Sequence, residues 1–206
     1  MGKWIDIDMA KAKPQLIVQD TGKYLEDTDF RNECEQLAEK IFKGPKNKRP
    51  LDVVMADTAK GLMGEMAFCE AYPQFNRSPD GIISHDVSLN EIDGTRVEIK
   101  VETIDSNWWN IGTKKNGESQ YTFFYHCVDK GLVDWIVRLY LDDGGNMHVK
   151  YLAEADSFES YVVQSNYGDG TYFNVIKAIQ DGVCWAGKDA IKEIKELERN
   201  GAWKNF

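Results

Sequence analysis

The chain contains 206 residues, of which 42% are hydrophobic, so it can bury one sizeable core and is expected to form a single domain. Its formal net charge of −9 argues against a protein that coats nucleic acid nonspecifically, but it does not exclude an enzyme whose acidic site binds cations. No apolar run of about 18 residues predicts a membrane span, and no N-terminal run resembles a signal peptide. The 4 cysteines are dispersed without a Cys-X-X-Cys pair, so a reducing cytoplasm is the expected compartment.

The first fifty residues or so are predicted to form an arm and one helix. Residues 1–23 show no strong hydrophobic period apart from the strand-like Gln15–Val18, which indicates an irregular arm. Thr28 is the predicted N-cap of an amphipathic helix, because apolar residues follow it at helical spacing until Gly44 and Pro45 end the pattern.

The most basic stretch of the sequence follows this helix, between Lys43 and Pro50. Its glycine and prolines predict a loop, and two interpretations of its cationic side chains are open: contact with a phosphate backbone, or simple solvation. The candidate nucleic-acid-binding residues of this loop are Lys46, Lys48 and Arg49.

A second helix is predicted from Val53 to Tyr72, since large apolar residues recur there at spacings of three and four. Gly61 and Gly64 would let this helix approach a neighbour closely. Glu65 falls on or beside the packing face, where an unpaired carboxylate is costly. It is therefore either the partner of a buried Lys or Arg, or a functional carboxylate.

The most informative stretch is the predicted β-hairpin from His85 to Glu102, where alternating apolar residues flank an Asp-Gly turn signal. A two-residue turn would mix apolar and charged side chains on both faces of the pair. A three-residue loop of Ile92, Asp93 and Gly94 instead places every apolar residue on one face, with Leu89 paired to Val97. We therefore expect the three-residue loop.

The polar face of this hairpin would carry Asp86 opposite Lys100, with Glu98 beside them. Two carboxylates and an ammonium group would then lie within a cross-strand spacing of about 5 Å. A solvated sheet face with a surface ion pair explains the same pattern without any function.

An aspartate on one strand followed by Glu98-Ile99-Lys100 on the next resembles the motif of the PD-(D/E)XK, or restriction-endonuclease-like, nuclease superfamily. The sequence GLMGEMAFCEAY, which contains Glu65, looks like the helix from which members of that superfamily place a glutamate in the metal site. Asp80, in a literal Pro-Asp, is the alternative motif aspartate, and Asp86 is preferred because it faces Lys100 in the predicted register. The resemblance covers roughly residues 53–141.

A third strand is predicted from Asn107 to Ile111, followed by a polar loop from Gly112 to Gly117. Its tryptophans and lysines either stack on bases and neutralise phosphates, or form core aromatics with a solvated loop, which is slightly favoured. The candidate nucleic-acid-binding residues of this region are Trp108, Trp109, Lys114 and Lys115.

The next segment allows two secondary structures. Ser119 could cap a helix reaching Gly131, although Tyr121 to Cys127 also alternate as a strand would. The superfamily core calls for a helix here, and that resemblance decides for it. Strands are then predicted from Asp134 to Leu141 and from Met147 to Leu152.

The resemblance implies an α/β fold with a mixed sheet, built on a restriction-endonuclease-like α-β-β-β-α-β core. Residues 1–50 would form the arm and first helix, residues 51–152 the catalytic core, and residues 153–206 a C-terminal helical addition. In that addition a short helix is predicted from Ser157 to Gln164, and a last helix ends at Gly201.

The resemblance also implies a chemistry. Asp86 and Glu98 would hold Mg²⁺ or Mn²⁺, with the carbonyl of Ile99 as a further ligand, and Glu65 would hold a second metal or a metal-bound water. Lys100 would orient the attacking water and stabilise negative charge on the phosphate. The expected protein is a metal-dependent DNA endonuclease, of the kind that a phage or mobile element encodes.

DNA is the expected partner, a membrane is not, and a homodimer is left open. Two alternatives belong to other classes of protein. One is a noncatalytic module that keeps the nuclease fold for binding nucleic acid or protein. The other is an acidic interaction protein, which would have its basic residues far from the polar face of the hairpin.

Overall fold

The computed structural model describes residues 13–45, 47–78, 86–89, 94–106, 109–115, 118–119, 131–164 and 170–202. The side chains of residues 110–115, 118–119, 170 and 201–202 are outside that description. The helices are α1 (Thr28–Phe42), α2 (Leu51–Ala71), α3 (Ala155–Phe158), α4 (Val175–Gln180) and α5 (Gly187–Ala202).

The strands fall into two sheets. The strands of the larger sheet are β1 (Gln15–Val18), β2 (Phe75–Arg77), β3 (Val87–Leu89), β4 (Arg96–Glu102), β7 (Trp135–Leu141), β8 (Met147–Glu154) and β11 (Cys184–Ala186). The strands of the smaller sheet are β5 (Trp109–Lys115), β6 (Glu118–Ser119), β9 (Val162–Gln164) and β10 (Gly170–Phe173). The predicted α/β fold with a mixed sheet is confirmed at this level.

The larger sheet has the strand order β1-β8-β7-β4-β3-β2, with β11 also paired to β8. Strands β4 and β7 run parallel, with Lys100 beside Arg138, whereas the other described pairs are antiparallel. Parallel neighbours need a crossover connection, so the chain must leave this sheet after β4 and return before β7. The smaller sheet is built partly from that excursion, because β5 and β6 belong to it.

The N-cap of helix α1 lies one residue earlier than predicted. The capping side chain is Asp27, whose Oδ1 accepts hydrogen bonds from the backbone N–H groups of Asp29 and Phe30. Thr28 is the first helical residue and not the cap. An aspartate at the N-cap also places negative charge at the positive end of the helix.

Helix α2 packs closely on β4, as the glycines in its sequence predict. A Cβ atom added to Gly64 would lie 2.2 Å from Cγ2 of Val101, so only glycine allows this approach. The apolar face of the hairpin and the buried face of α2 form one core, as expected. Its members from these elements are Leu62, Met63, Ala67, Phe68, Val87, Leu89, Val97 and Ile99, with Val101 packed against them.

A second core lies between the two sheets and surrounds Trp109. The strand predicted from Asn107 to Ile111 is described from Trp109 onward, and it continues through residues expected to form a polar loop. It pairs antiparallel with β10 rather than joining the main sheet. No strand was predicted at the position of β10, so this pairing was not predicted either.

The C-terminal region is less helical than expected. The helix predicted from Ser157 to Gln164 is a short helix ending at Phe158, one 3-10 turn, and the strand β9. Strand β11 joins the main sheet beside β8, and β1 joins it at the other end of β8. The predicted arm and the predicted helical addition therefore both contribute to the central sheet.

Two further expectations concern the crossover and membranes. Ser119, the predicted cap of a helix, lies in β6, and residues 120–130 of that predicted helix are outside the described residues. In the part of the chain that the structure describes, no helix combines the length and the apolar character needed to cross a bilayer.

Candidate functional site

The hairpin register differs by two residues from the predicted one. Val87 pairs with Val97, and Ser88 pairs with Arg96, so the pairings expected with the three-residue loop are wrong. Ile92 and Asp93 of that predicted loop lie outside the described residues. Because the shift is even, every side chain keeps its predicted face. The new register places Asp86 across from Glu98 instead of Lys100. Sequence periodicity could not distinguish two registers that bury the same residues.

Asp86 is attached to β4 by its backbone and by its side chain. Its N–H donates to the carbonyl of Val97 at 3.1 Å, and its Oδ2 accepts from the N–H of Ile99 at 2.6 Å. Ile99 is the residue between Glu98 and Lys100. The aspartate carboxylate is therefore held against the centre of the Glu-X-Lys sequence.

Glu98 and Lys100 form a pair that extends from the protein interior to solvent. Glu98 is 4% exposed, although it carries a carboxylate. The ammonium group of Lys100 donates a hydrogen bond to Glu98 Oε1, while the Lys100 side chain stays 43% exposed. This geometry is not that of a surface ion pair, since one of the two charges is buried.

The carboxylates of this site repel one another. Burial and the nearby charge of Glu98 raise the pKa of Asp86 to about 8, with a further contribution from Glu65, and Lys100 opposes the rise. Burial likewise raises the pKa of Glu65, and the charges of Glu33 and Glu98 add to it. Burial is therefore the main reason that both carboxyl groups keep their protons more readily, and the charge of Glu98 adds to the effect at both.

Arg77 holds Glu65 and is a site residue that sequence reasoning missed. Its Nε donates to Glu65 Oε2 at 3.0 Å, and its Nη1 donates to Glu33 Oε2 of α1 at 3.1 Å. Arg77 is the last residue of β2, and no strand was predicted there, so its sequence context gave no signal. The interpretation of Glu65 as the partner of an arginine is confirmed, and its functional role stays a prediction.

The donor chemistry of the site fits Mg²⁺ or Mn²⁺, which prefer hard oxygen ligands. Asp86 and Glu98 supply carboxylate oxygens on one face, and the raised pKa of Asp86 reflects charge that a cation would offset. Each carboxylate is engaged by a protein donor in this structure, and among the described residues no three Asp, Glu, His or Cys side chains are grouped as metal ligands.

The basic loop lies at the far end of α2 from Glu65. Lys48 and Arg49 are exposed, and Arg49 Nη1 bonds Asp57 Oδ2 at 2.6 Å. At a rise of about 1.5 Å per residue, the start of α2 lies about 20 Å from Glu65. A DNA duplex at the carboxylates would have to extend about six base pairs to reach this loop.

The remaining candidates are partly outside the description. Trp109 is 2% exposed and packs among Tyr151, Phe158 and Phe173, so it belongs to the second core and not to a base-stacking surface. Lys114 and Lys115 lie in β5, but their side chains are not described. Lys46, Asp80, His85 and Trp108 lie outside the described residues.

Two buried cations in the strands after Lys100 were also missed by sequence reasoning. Arg138 is the neighbour of Lys100 across the β4–β7 pair, and Lys150 lies in β8. Each is 1% exposed. A signal was present, because both interrupt strands that are mostly apolar, in the sequences WIVRLYL and MHVKYLAE.

Comparison with known proteins gives no family assignment. No protein-family model matches the chain, and no curated protein matches it significantly.

Proposed function

We propose that this protein is a metal-dependent nuclease that hydrolyses phosphodiester bonds in DNA, with an endonuclease favoured. The observation that carries the proposal is the contact of Asp86 with the backbone of Ile99, between a buried glutamate and a lysine. That contact groups an aspartate with a Glu-X-Lys sequence on one sheet face. This grouping agrees with the PD-(D/E)XK resemblance of the sequence.

The electrostatics of the site support a function over a structural role. A purely structural ion pair gains nothing from a second and third carboxylate nearby, and both burial and the charges of Glu98 and Glu65 raise the pKa of Asp86. Proteins tolerate such unfavourable electrostatic energy mainly at sites that bind a ligand or carry out a reaction.

The roles of the residues follow from their positions. Asp86 and Glu98 would hold the metal, with the carbonyl of Ile99 as a further ligand by resemblance. Bound Mg²⁺ or Mn²⁺ supplies positive charge to the phosphate oxygens and lowers the pKa of a coordinated water. Lys100, whose side chain reaches solvent, orients the nucleophile and stabilises charge that develops on the phosphate.

Glu65 has a supporting role in this proposal. Arg77 fixes its carboxylate at the edge of the cluster, where it holds a water or a further cation. The fold agrees with this assignment, since α2 precedes a β-meander that ends in β4, and β4 has a parallel neighbour in β7. A restriction-endonuclease-like core is part of the same proposal.

The proposal is tested by incubating the protein with supercoiled, linear and branched DNA and with RNA, in Mg²⁺, in Mn²⁺ or in EDTA. We expect cleavage of DNA in the presence of metal, none in EDTA, and none by Glu98→Gln. Binding without cleavage in every metal would show a noncatalytic module instead. Cleavage that persists in EDTA, or in the Glu98→Gln variant, would contradict the proposed site.

A further inference from the structure

The polar face of the main sheet buries two cations beside Lys100. Arg138 lies across the β4–β7 pair from Lys100, at one strand spacing of about 4.8 Å, and Lys150 lies in the next strand. Both residues are 1% exposed. Burying a cation is costly unless an anion accompanies it, so the partners of these two side chains are informative.

The partners come from one short segment at the end of β4. The Arg138 guanidinium bonds Glu102, and its Nη1 donates to the carbonyl of Ser106 at 3.0 Å, while the Lys150 ammonium group bonds Asp105. The carboxylates are far more exposed than the cations, with 26% of the Glu102 side chain and 49% of the Asp105 side chain accessible. The two cations are therefore buried, and the carboxylates form an outer layer between them and solvent.

That layer does not satisfy every donor of Arg138. Nε of Arg138 is buried and has no hydrogen-bond acceptor in the described part of the chain. Arg138 and Lys150 each lie 5.7 Å from the ring centroid of Tyr151. Burial lowers the pKa of Lys150, and the charge of Arg138 lowers it further. An anion that contacts both side chains would offset both buried charges.

We propose that Arg138 and Lys150 form a binding site for a backbone phosphate group of nucleic acid, and that Glu102 and Asp105 occupy it in the protein without nucleic acid. A guanidinium group can bind phosphate with two parallel hydrogen bonds, and a lysine contributes a further charge. The segment from residue 102 to residue 106 must move aside for this exchange. The identity of the ligand rests on the proposed nuclease function, whereas the anion site itself does not.

The site would take a phosphate next to the scissile one. Lys100 faces the carboxylates of the cleavage site on one side and neighbours Arg138 on the other. One nucleic-acid strand crossing β4 and β7 would therefore place successive phosphates first at the metal and then at Arg138. Interactions away from the reacting bond position a substrate and reduce its freedom.

The test removes the competing carboxylates and measures binding without cleavage. Wild-type protein and Glu102→Gln/Asp105→Asn are titrated in EDTA with inorganic phosphate and with a fluorescein-labelled DNA oligonucleotide. The matched control is Glu39→Gln/Glu70→Gln, because it also removes two carboxylates that are paired with lysines. We expect the first double variant to bind both ligands about tenfold more tightly than the control does.

Adding Lys150→Gln to the first double variant should abolish the gain, and thermal unfolding with and without phosphate checks that each variant is folded. Equal affinities in the two double variants would overturn the proposal. Tightening for inorganic phosphate alone would overturn its assignment to a nucleic-acid backbone. If the first double variant binds DNA more tightly but the wild-type protein shows no metal-dependent cleavage, the anion site is supported and the nuclease function is contradicted. If the wild-type protein cleaves DNA but the double variant does not bind more tightly, the nuclease function is supported and the anion site is contradicted.

Discussion

The carboxylate of Asp86 accepts a hydrogen bond of 2.6 Å from the backbone N–H of Ile99, so the aspartate is fixed to the strand that carries Glu98 and Lys100. This contact bridges the two strands at the point where the described ladder residues of β3 begin. It keeps the carboxylate beside Glu98 even though doing so raises its pKa. The stability of the metal-free protein should therefore depend on the charge of Asp86.

Asp86→Asn should change how stability depends on pH. The pKa of Asp86 is raised from 3.8 to about 8 by folding, so its favourable contribution is complete below about pH 4 and is lost as the pH rises through about 8. Across that window the free energy of unfolding of the wild-type protein should fall with rising pH because of this group. Urea denaturation in EDTA at several pH values should show a smaller fall for Asp86→Asn.

Asp143→Asn is the control for that measurement, since Asp143 is an exposed aspartate in the turn between β7 and β8. Its pH profile should match that of the wild-type protein. Identical profiles for Asp86→Asn and the wild-type protein would show that the carboxylates do not interact as described.

Gly64→Ala should destabilise the protein by about 1–3 kcal/mol, because the added Cβ would overlap Cγ2 of Val101 and force α2 away from β4. Gly61→Ala is the matched control on the same helix. No other atom would contact its Cβ within 4 Å, so this substitution should stabilise the protein by up to about 1 kcal/mol through helix propensity. Denaturant unfolding measures both, and equal stabilities would refute the close packing of α2 on the sheet.

Arg77→Gln should destabilise the protein by about 1–3 kcal/mol, since it leaves the half-buried carboxylates of Glu33 and Glu65 without their cation. Arg31→Gln is the control, because Arg31 is an exposed arginine on α1. That change should cost less than about 0.5 kcal/mol. If thermal unfolding shows the same loss for both variants, Arg77 does not hold the two helices as the hydrogen bonds indicate.

Much of the fold could be predicted because hydrophobic periodicity is a local signal. The buried faces of α2 and of the hairpin were both read correctly, since alternation and helical spacing determine which side chains point inward. The register was not, because Val87 pairs with Val97 or with Ile99 without changing any face. Periodicity fixes the face of a residue, and only three-dimensional packing fixes its partner.

The residues of the candidate site were likewise only partly predictable from the sequence. Glu65, Asp86, Glu98 and Lys100 were identified from motif resemblance, and their role as a site stays a prediction. Arg77 was missed because an arginine beside a turn is ordinary in any sequence. The long-range contacts of Arg138 with the segment after β4 were equally invisible, although a charged residue inside an apolar strand was a usable signal.

Replacing Lys46, Lys48 and Arg49 together by alanine should weaken DNA binding and flatten its salt dependence. Each lost phosphate contact should remove about 0.9 from the slope of log affinity against log salt on duplex DNA. The control is Lys188→Ala/Lys192→Ala/Lys195→Ala, which removes the same charge from exposed positions on α5. Equal changes of slope in the two triple variants would show that the basic loop does not contact DNA more than other exposed lysines do.

Lys100→Ala needs a stability measurement beside any assay of activity. Its partner Glu98 is 4% exposed, so removing the lysine leaves a buried carboxylate with less compensation. We expect a loss of about 1–3 kcal/mol in the free energy of unfolding, larger than the 0–1 kcal/mol of a surface pair. Rates should therefore be compared per folded molecule, at a temperature where the variant is fully native.

The single-turnover rate of DNA cleavage by Lys100→Ala in Mg²⁺ or Mn²⁺ tests the proposed mechanism most directly. Lys43→Ala, which changes an exposed lysine paired with Glu39, is the control and should cleave normally. If Lys100 stabilises charge that appears only in the transition state, its removal should slow cleavage at least about a hundredfold while DNA affinity hardly changes. Metal-dependent cleavage by folded Lys100→Ala at the wild-type rate would contradict the mechanism.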